Sequence, residues 1–175
     1  MANRKALREL QSRLAARLRS AHDDSRQASW LAVESGGRGF LLALASAGEI
    51  FPVSALKAVP HTQGWFVGVA NLRGGLHGVV DLAGFLGLPE GPSAEPAREQ
   101  SRLVAFGAAL GLNGALLVDR LAGLRSSDQM SVAPADGVAR PAFAGAVWLD
   151  AAQRAWQSLD LARLARDEHF LSIVA

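Results

Sequence analysis

The chain has 175 residues, half of them hydrophobic, no cysteine and a formal net charge of +2. That length can bury a real core and that apolar share excludes general disorder, while the missing cysteines exclude a disulfide framework and any thiolate metal site. No run approaches the roughly 18 apolar residues of a membrane-crossing helix, and the polar, basic start lacks the apolar centre of a signal peptide, so a cytoplasmic protein without direct membrane insertion is expected.

Residues 2–21 read as a helix, within an N-terminal segment 1–28. Leu7, Leu10, Leu14 and Leu18 form one narrow stripe at helical spacing, with arginines on the other faces. Residues 1–27 hold seven basic side chains against Glu9, Asp23 and Asp24, a local charge of +4, which leaves −2 for the rest. Such a helix is either solvated or docked on its own chain, or it binds a partner or a membrane surface. The body that follows has no basic stripe of the nucleic-acid-binding kind.

From residue 29 the pattern turns to β. Trp30–Glu34 and Phe40–Ala45 flank a glycine-rich turn, and Gly48–Val53 follows before a loop around Pro60. Trp65–Leu72 and Leu76–Leu82 are two apolar runs around the polar corner Asn71-Leu72-Arg73-Gly74-Gly75, a tight hairpin that fixes one charge in place. Asp81–Leu88 reads as a short helical or irregular turn, ended by Gly87 and Pro89. Residues 89–101 hold three Pro, three Glu and two Ser without periodicity and read as a linker. Leu103–Phe106 and Ala115–Val118 form another hairpin pattern, followed by Leu121–Leu124 and a long loop over 126–141. Phe143–Trp148 and Arg154–Leu159 make a last hairpin. Residues 160–173 have helical spacing at Leu161, Leu164, Phe170 and Ile173, with Asp160 as N-cap. Many short strands in two groups, 29–88 and 102–159, predict a mostly β protein of two small barrels sharing one core, all within a domain of residues 29–175.

No catalytic constellation converges. His22, His61, His77 and His169 are scattered, and the chain has no metalloprotease, nucleophile-elbow, Walker or dinucleotide motif. His77 is expected as a strand histidine, and Asp81, Asp119 and Asp160 as strand-end turn or cap residues rather than metal ligands. No enzyme activity, cofactor or metal is expected. Arg73, between apolar Leu72 and Leu76, is expected to be partly buried and therefore paired. Ile50, Phe51, Phe66, Val67, Leu121 and Leu124 are each core candidates, but a small barrel cannot bury every face, so some are expected on a partner-binding surface.

The corner carries a resemblance. Trp65, Gly68, Asn71, Leu72, Arg73, Gly74, Val79, Val80, Asp81 and Leu82 match, in register, the signature of CheW-like domains, the adaptor modules of bacterial chemosensory arrays. Gly78 stands where that family has Pro, which is expected to loosen the start of its strand. Gly48-Glu49-Ile50 is similar to the family's Glu-Val pair, Val118-Asp119-Arg120-Leu121 with Gly123-Leu124 to its Val-Asp strand, and Leu159-Asp160-Leu161 to its closing segment. The basic N-terminal segment, Trp30 and the ending Glu168-His169-Phe170-Leu171 are most similar to the adaptors of chemosensory systems that govern type IV pili.

The resemblance implies two five-stranded SH3-like barrels with an N-terminal and a C-terminal helix. It implies a non-catalytic scaffold that couples the cytoplasmic tip of a methyl-accepting chemoreceptor to a CheA-type histidine kinase, whose regulatory domain is itself CheW-like, in membrane-associated arrays that control twitching motility. It pairs Glu49 with Arg73, places the kinase interface at Val67, Gly68 and Leu103, and places the receptor interface at Ala47, Glu49, Ile50, Leu121 and Leu124. Losing one partner of a partly buried Glu49–Arg73 pair would cost on the order of 3 kcal/mol. The alternative is a small-barrel nucleic-acid-binding protein with a basic arm.

Overall fold

Neighbouring residues on several strands serve two different cores. The computed structural model describes residues 30–89 and 99–175; the expected helix at 2–21 and most of the expected linker lie outside them. Among the described residues eleven strands form two sheets. In the first half of the chain these are β1 (Trp30–Ser35), β2 (Arg38–Ala43), β3 (Ala47–Pro52), β4 (Phe66–Leu72) and β5 (Gly75–Asp81), followed by the helical turn α1 (Leu82–Phe85). The second half supplies β6 (Arg102–Phe106), β7 (Gly114–Val118), β8 (Arg120–Arg125), β9 (Ser131–Val132), β10 (Ala144–Leu149) and β11 (Ala155–Leu159). Its last elements are α2 (Leu161–Leu164) and α3 (Glu168–Leu171).

The strand orders are β3-β6-β7-β5-β4 and β8-β1-β2-β11-β10-β9. Leaving aside the two-residue β9, the two patterns are the same. An antiparallel hairpin (β6–β7 or β1–β2) pairs on one side with a single antiparallel strand (β3 or β8). On the other it pairs in parallel with the last strand of a second hairpin, β5 beside β7 and β11 beside β2. Each sheet therefore combines the first hairpin of one half of the chain with the three later strands of the other half. Neither sheet coincides with the spans 29–88 or 102–159.

Both sheets curl. Lys57, beyond β3, bridges to Val69 of β4 at the opposite end of its sheet. Trp30 of β1 meets Trp148 of β10 with ring centroids 4.7 Å apart. Leu72, Val79, Leu103 and Ala115 fill one barrel; Ala32, Leu41, Met130 and Trp156 fill the other. Their neighbours Leu31, Val33, Val80, Val104, Leu116 and Val118 point outward into a large core between the barrels. The described residues are thus mostly β, with two SH3-like barrels sharing a core, and the helices among them are few and short.

The segment expected to be one helix over 160–173 is two helical turns. Asp160 accepts from Ala162 N and Arg163 N, and Asp167 accepts from Phe170 N, so each turn begins at its own cap. The break rotates Phe170 into the shared core against Trp65, Phe85 and Phe106. Gly78 does not loosen β5: its N–H donates to Asn113 O at 3.0 Å, a bond a proline there could not make.

Candidate interaction surfaces

The polar corner is built by backbone geometry. Leu72 pairs with Gly75, so Arg73 and Gly74 alone make the turn, with φ of 49° and 82°. Two left-handed residues in succession match the right-handed twist of the flanking strands. Asn71 Oδ1 accepts from Gly74 N at 2.9 Å and locks the turn, while the Leu72 side chain is buried in the barrel. Arg73 is left at the tip, where its Nη2 meets Glu49 Oε1 at 2.6 Å.

This pair is not buried. The Arg73 side chain is 75% exposed and that of Glu49 42%, because the turn tip projects beyond the apolar strands on either side. Solvent screening limits such a pair to about 0.5 kcal/mol, not the several kcal/mol of a desolvated one. A double-mutant cycle with Glu49→Ala and Arg73→Ala, read by urea denaturation, should give a coupling of that small size; about 3 kcal/mol would show a buried pair.

The residues expected at a receptor interface lie on β3 and β8, the end strands of the two sheets. Ala47 and Leu121 pack against the shared core, whereas Ile50 and Leu124 are exposed. Leu76, next to the corner, is the most exposed apolar side chain of β5 at 64%. The three residues expected at a kinase interface do not form one surface. Val67 on β4 is half-buried, and Leu103 on β6 is fully buried inside the barrel. Gly68 is buried with φ of 130°, and a Cβ there would run into the Lys57 carbonyl. Gly68 and Leu103 shape this edge without offering it a side chain.

The strand-end aspartates hold backbone. Asp81 accepts from Ala83 N and starts α1, and Asp119 Oδ2 accepts from Gly36 N in the β1–β2 turn. Among the described residues no group of three His, Cys, Asp or Glu could hold a metal ion, and no helix is long and apolar enough to cross a membrane. His77 Nδ1 lies 3.0 Å from Gly75 O.

One charged cluster escapes the sequence reading. Glu34, mostly buried on β1, takes a bidentate bond from Arg120 (2.6 and 2.8 Å) and another from Arg154. The Arg120 bonds, helped by Arg154, hold its carboxyl below the usual glutamate range. Arg154 in turn lies over the Trp156 ring, whose Nε1 donates to Asp150. A lone acid between buried Val33 and Ser35 was the available signal, but its partners are 86 and 120 residues away. A carboxylate with a depressed folded pKa stabilises fully above its unfolded pKa and loses that contribution as pH falls through the folded value. Urea midpoints of the protein should therefore drop in acid, while Glu34→Gln should be less stable at neutral pH and flatter across that acid window. Parallel profiles would exclude a stabilising role for the cluster.

Comparison with known proteins places this architecture. The family model for the CheW-like domain matches residues 29–169. Protein PilI of Pseudomonas aeruginosa is 32% identical over 113 residues, covering 65% of this chain and 61% of the relative's length. The crystal structure of the scaffolding protein TtCheW from Thermoanaerobacter tengcongensis shares the fold, with a TM-score of 0.61 over 76% of this chain and 88% of that one, at 17% identity. With two intertwined barrels, the locked Asn71–Gly74 corner and a match spanning nearly all of the described residues, the chain belongs to the CheW-like domain family.

Proposed function

We propose that this chain is a non-catalytic adaptor that joins the cytoplasmic tip of a chemoreceptor to a CheA-type histidine kinase, at membrane-bound arrays controlling type IV pili. The observation that carries the reading is the exposed corner of a CheW-like barrel. Glu49 and Arg73 hold each other in the open, Ile50 follows Glu49 with its side chain exposed, and Leu124 is exposed on the end strand of the other sheet. Apolar side chains left exposed on end strands, Ile50 next to a fixed charge pair, suit a partner surface better than solvent. The 32% identity to PilI supports the pilus system.

The coupling is positional: the two partners bind different faces of one rigid body, and a change in receptor conformation reaches the kinase through these contacts. The receptor face is Ala47, Glu49, Ile50, Leu121 and Leu124. The kinase face runs along the β4 edge at Val67, with Gly68 and Leu103 setting its backbone. Leu124→Asp is expected to weaken receptor-tip binding about tenfold and spare a fragment of the kinase's CheW-like domain. Val67→Asp should do the reverse, with thermal unfolding followed to exclude damage to the barrel. Both substitutions impairing the same partner alone would refute the division.

A further inference from the structure

A groove of about 780 Å³ lies away from both proposed faces, bounded by the β1–β2 turn, the chain leaving α1, the 136–144 loop and β11. None of its lining residues is on β3, β4 or β8. Its floor is apolar, formed by the edges of Phe40, Phe143 and Leu159, which are otherwise buried. Leu88 forms a half-buried wall, and Val138 stands on the rim with 60% of its surface exposed.

The charges around it are of one dominant sign. Arg38, Arg140 and Arg154 line the groove against a single acid, Asp136. Asp136 is engaged by Arg140, and Arg154 by Glu34, which Arg120 also holds. Arg38 is exposed and has no acidic partner among the described residues. Taken with Glu34 and Arg120, the site keeps a net positive charge beside an apolar floor.

We propose that this groove docks an acidic, apolar-faced segment of a partner protein. Apolar side chains of the segment cover the floor and Val138, and its carboxylates meet Arg38 and the outer edge of Arg140. Charge decides against the chain's own first 27 residues as occupant, in this copy or a second one, because they carry +4 themselves. The apolar floor and Asp136 weigh against a nucleic acid backbone, which wants cations without a greasy bed.

The test uses the full chain and two synthetic peptides with leucines at helical spacing, one with glutamates at all other positions and one with lysines. Titrations are followed by amide chemical shifts and by fluorescence anisotropy. The glutamate peptide is expected to bind, to shift amides at Gly37, Gly39 and Gln157, and to weaken with added salt. Arg38→Glu and Val138→Asp, both at exposed positions, should each reduce its affinity about tenfold while leaving thermal unfolding and kinase-fragment binding unchanged. Equal binding of the two peptides, shifts confined to other surfaces, unchanged affinity in both variants, or preferential binding of duplex DNA or anionic vesicles at these residues would overturn the proposal. Loss of kinase-fragment binding in wild type would count against the adaptor role instead, and leaves the peptide result readable on its own.

Discussion

Cutting the chain between Leu88 and Arg102 and expressing the two pieces separately should leave each piece unfolded. The barrel containing Trp156 needs β1 and β2 from the first piece and β8, β10 and β11 from the second; the other needs β3, β4 and β5 from the first and β6 and β7 from the second. A lone piece would keep two hairpins and a single strand, plus the short β9 in the second piece, but lose the β1–β8, β3–β6, β2–β11 and β5–β7 ladders. It would also open the shared core, to which both pieces contribute. Isolated hairpins are marginal in water, and the apolar faces exposed here have no other cover. Each piece alone should show no cooperative thermal transition and should bind a hydrophobic dye; mixing the two from denaturant should restore one transition. A cooperative transition from either piece alone would show that the halves fold independently and that the exchange of hairpins is not obligatory.

Gly68→Ala should be among the most destabilising single methyl additions in the chain. Its φ of 130° is a region that residues with a Cβ rarely enter, and the added carbon would meet the Lys57 carbonyl where Lys57 and Val69 exchange two backbone hydrogen bonds of 2.9 Å. Strain at such a position costs about 1–3 kcal/mol, and losing the bridge that closes the barrel adds to it. Gly68→Asp adds the burial of a charge. Chemical denaturation should show Gly68→Ala destabilised by about 3 kcal/mol, whereas Gly74→Ala, at a φ of 82° with open space around it, should lose only the backbone strain. Equal, small losses would mean that the Lys57 segment yields easily. A kinase-binding defect in Gly68→Asp is therefore diagnostic only if the variant remains folded.

The strands were legible because their signals are local. Gly36 and Gly37 mark the β1–β2 turn, Arg73-Gly74 the β4–β5 turn, and Asp81 and Asp160 the starts of α1 and α2. Strand partnership across the two halves is not a local property. Nothing near Val33 announces that it pairs with Leu121, or near Gly39 that it pairs with Trp156. Arg73 is exposed despite apolar Leu72 and Leu76 because neighbours in sequence are not neighbours in space there. At a two-residue turn those neighbours belong to strands that turn inward while the tip points out. The internal position of Leu103 and Gly68 was not readable, since a fully buried strand residue and an edge residue are both simply apolar or small in the sequence. Glu34 was missed for the same reason of distance: its meaning lies in Arg120 and Arg154.

The central claim is that one chain bridges two partners. Receptor cytoplasmic tips are immobilised, a fragment of the kinase's CheW-like domain is passed over them, and retention is measured with and without this chain at matched salt. The account predicts that the kinase fragment is retained only when the chain is present, and that Leu124→Asp and Val67→Asp each weaken the bridge by weakening binding to opposite partners. Retention of the kinase fragment without the chain, or binding of the chain to neither partner, would contradict it.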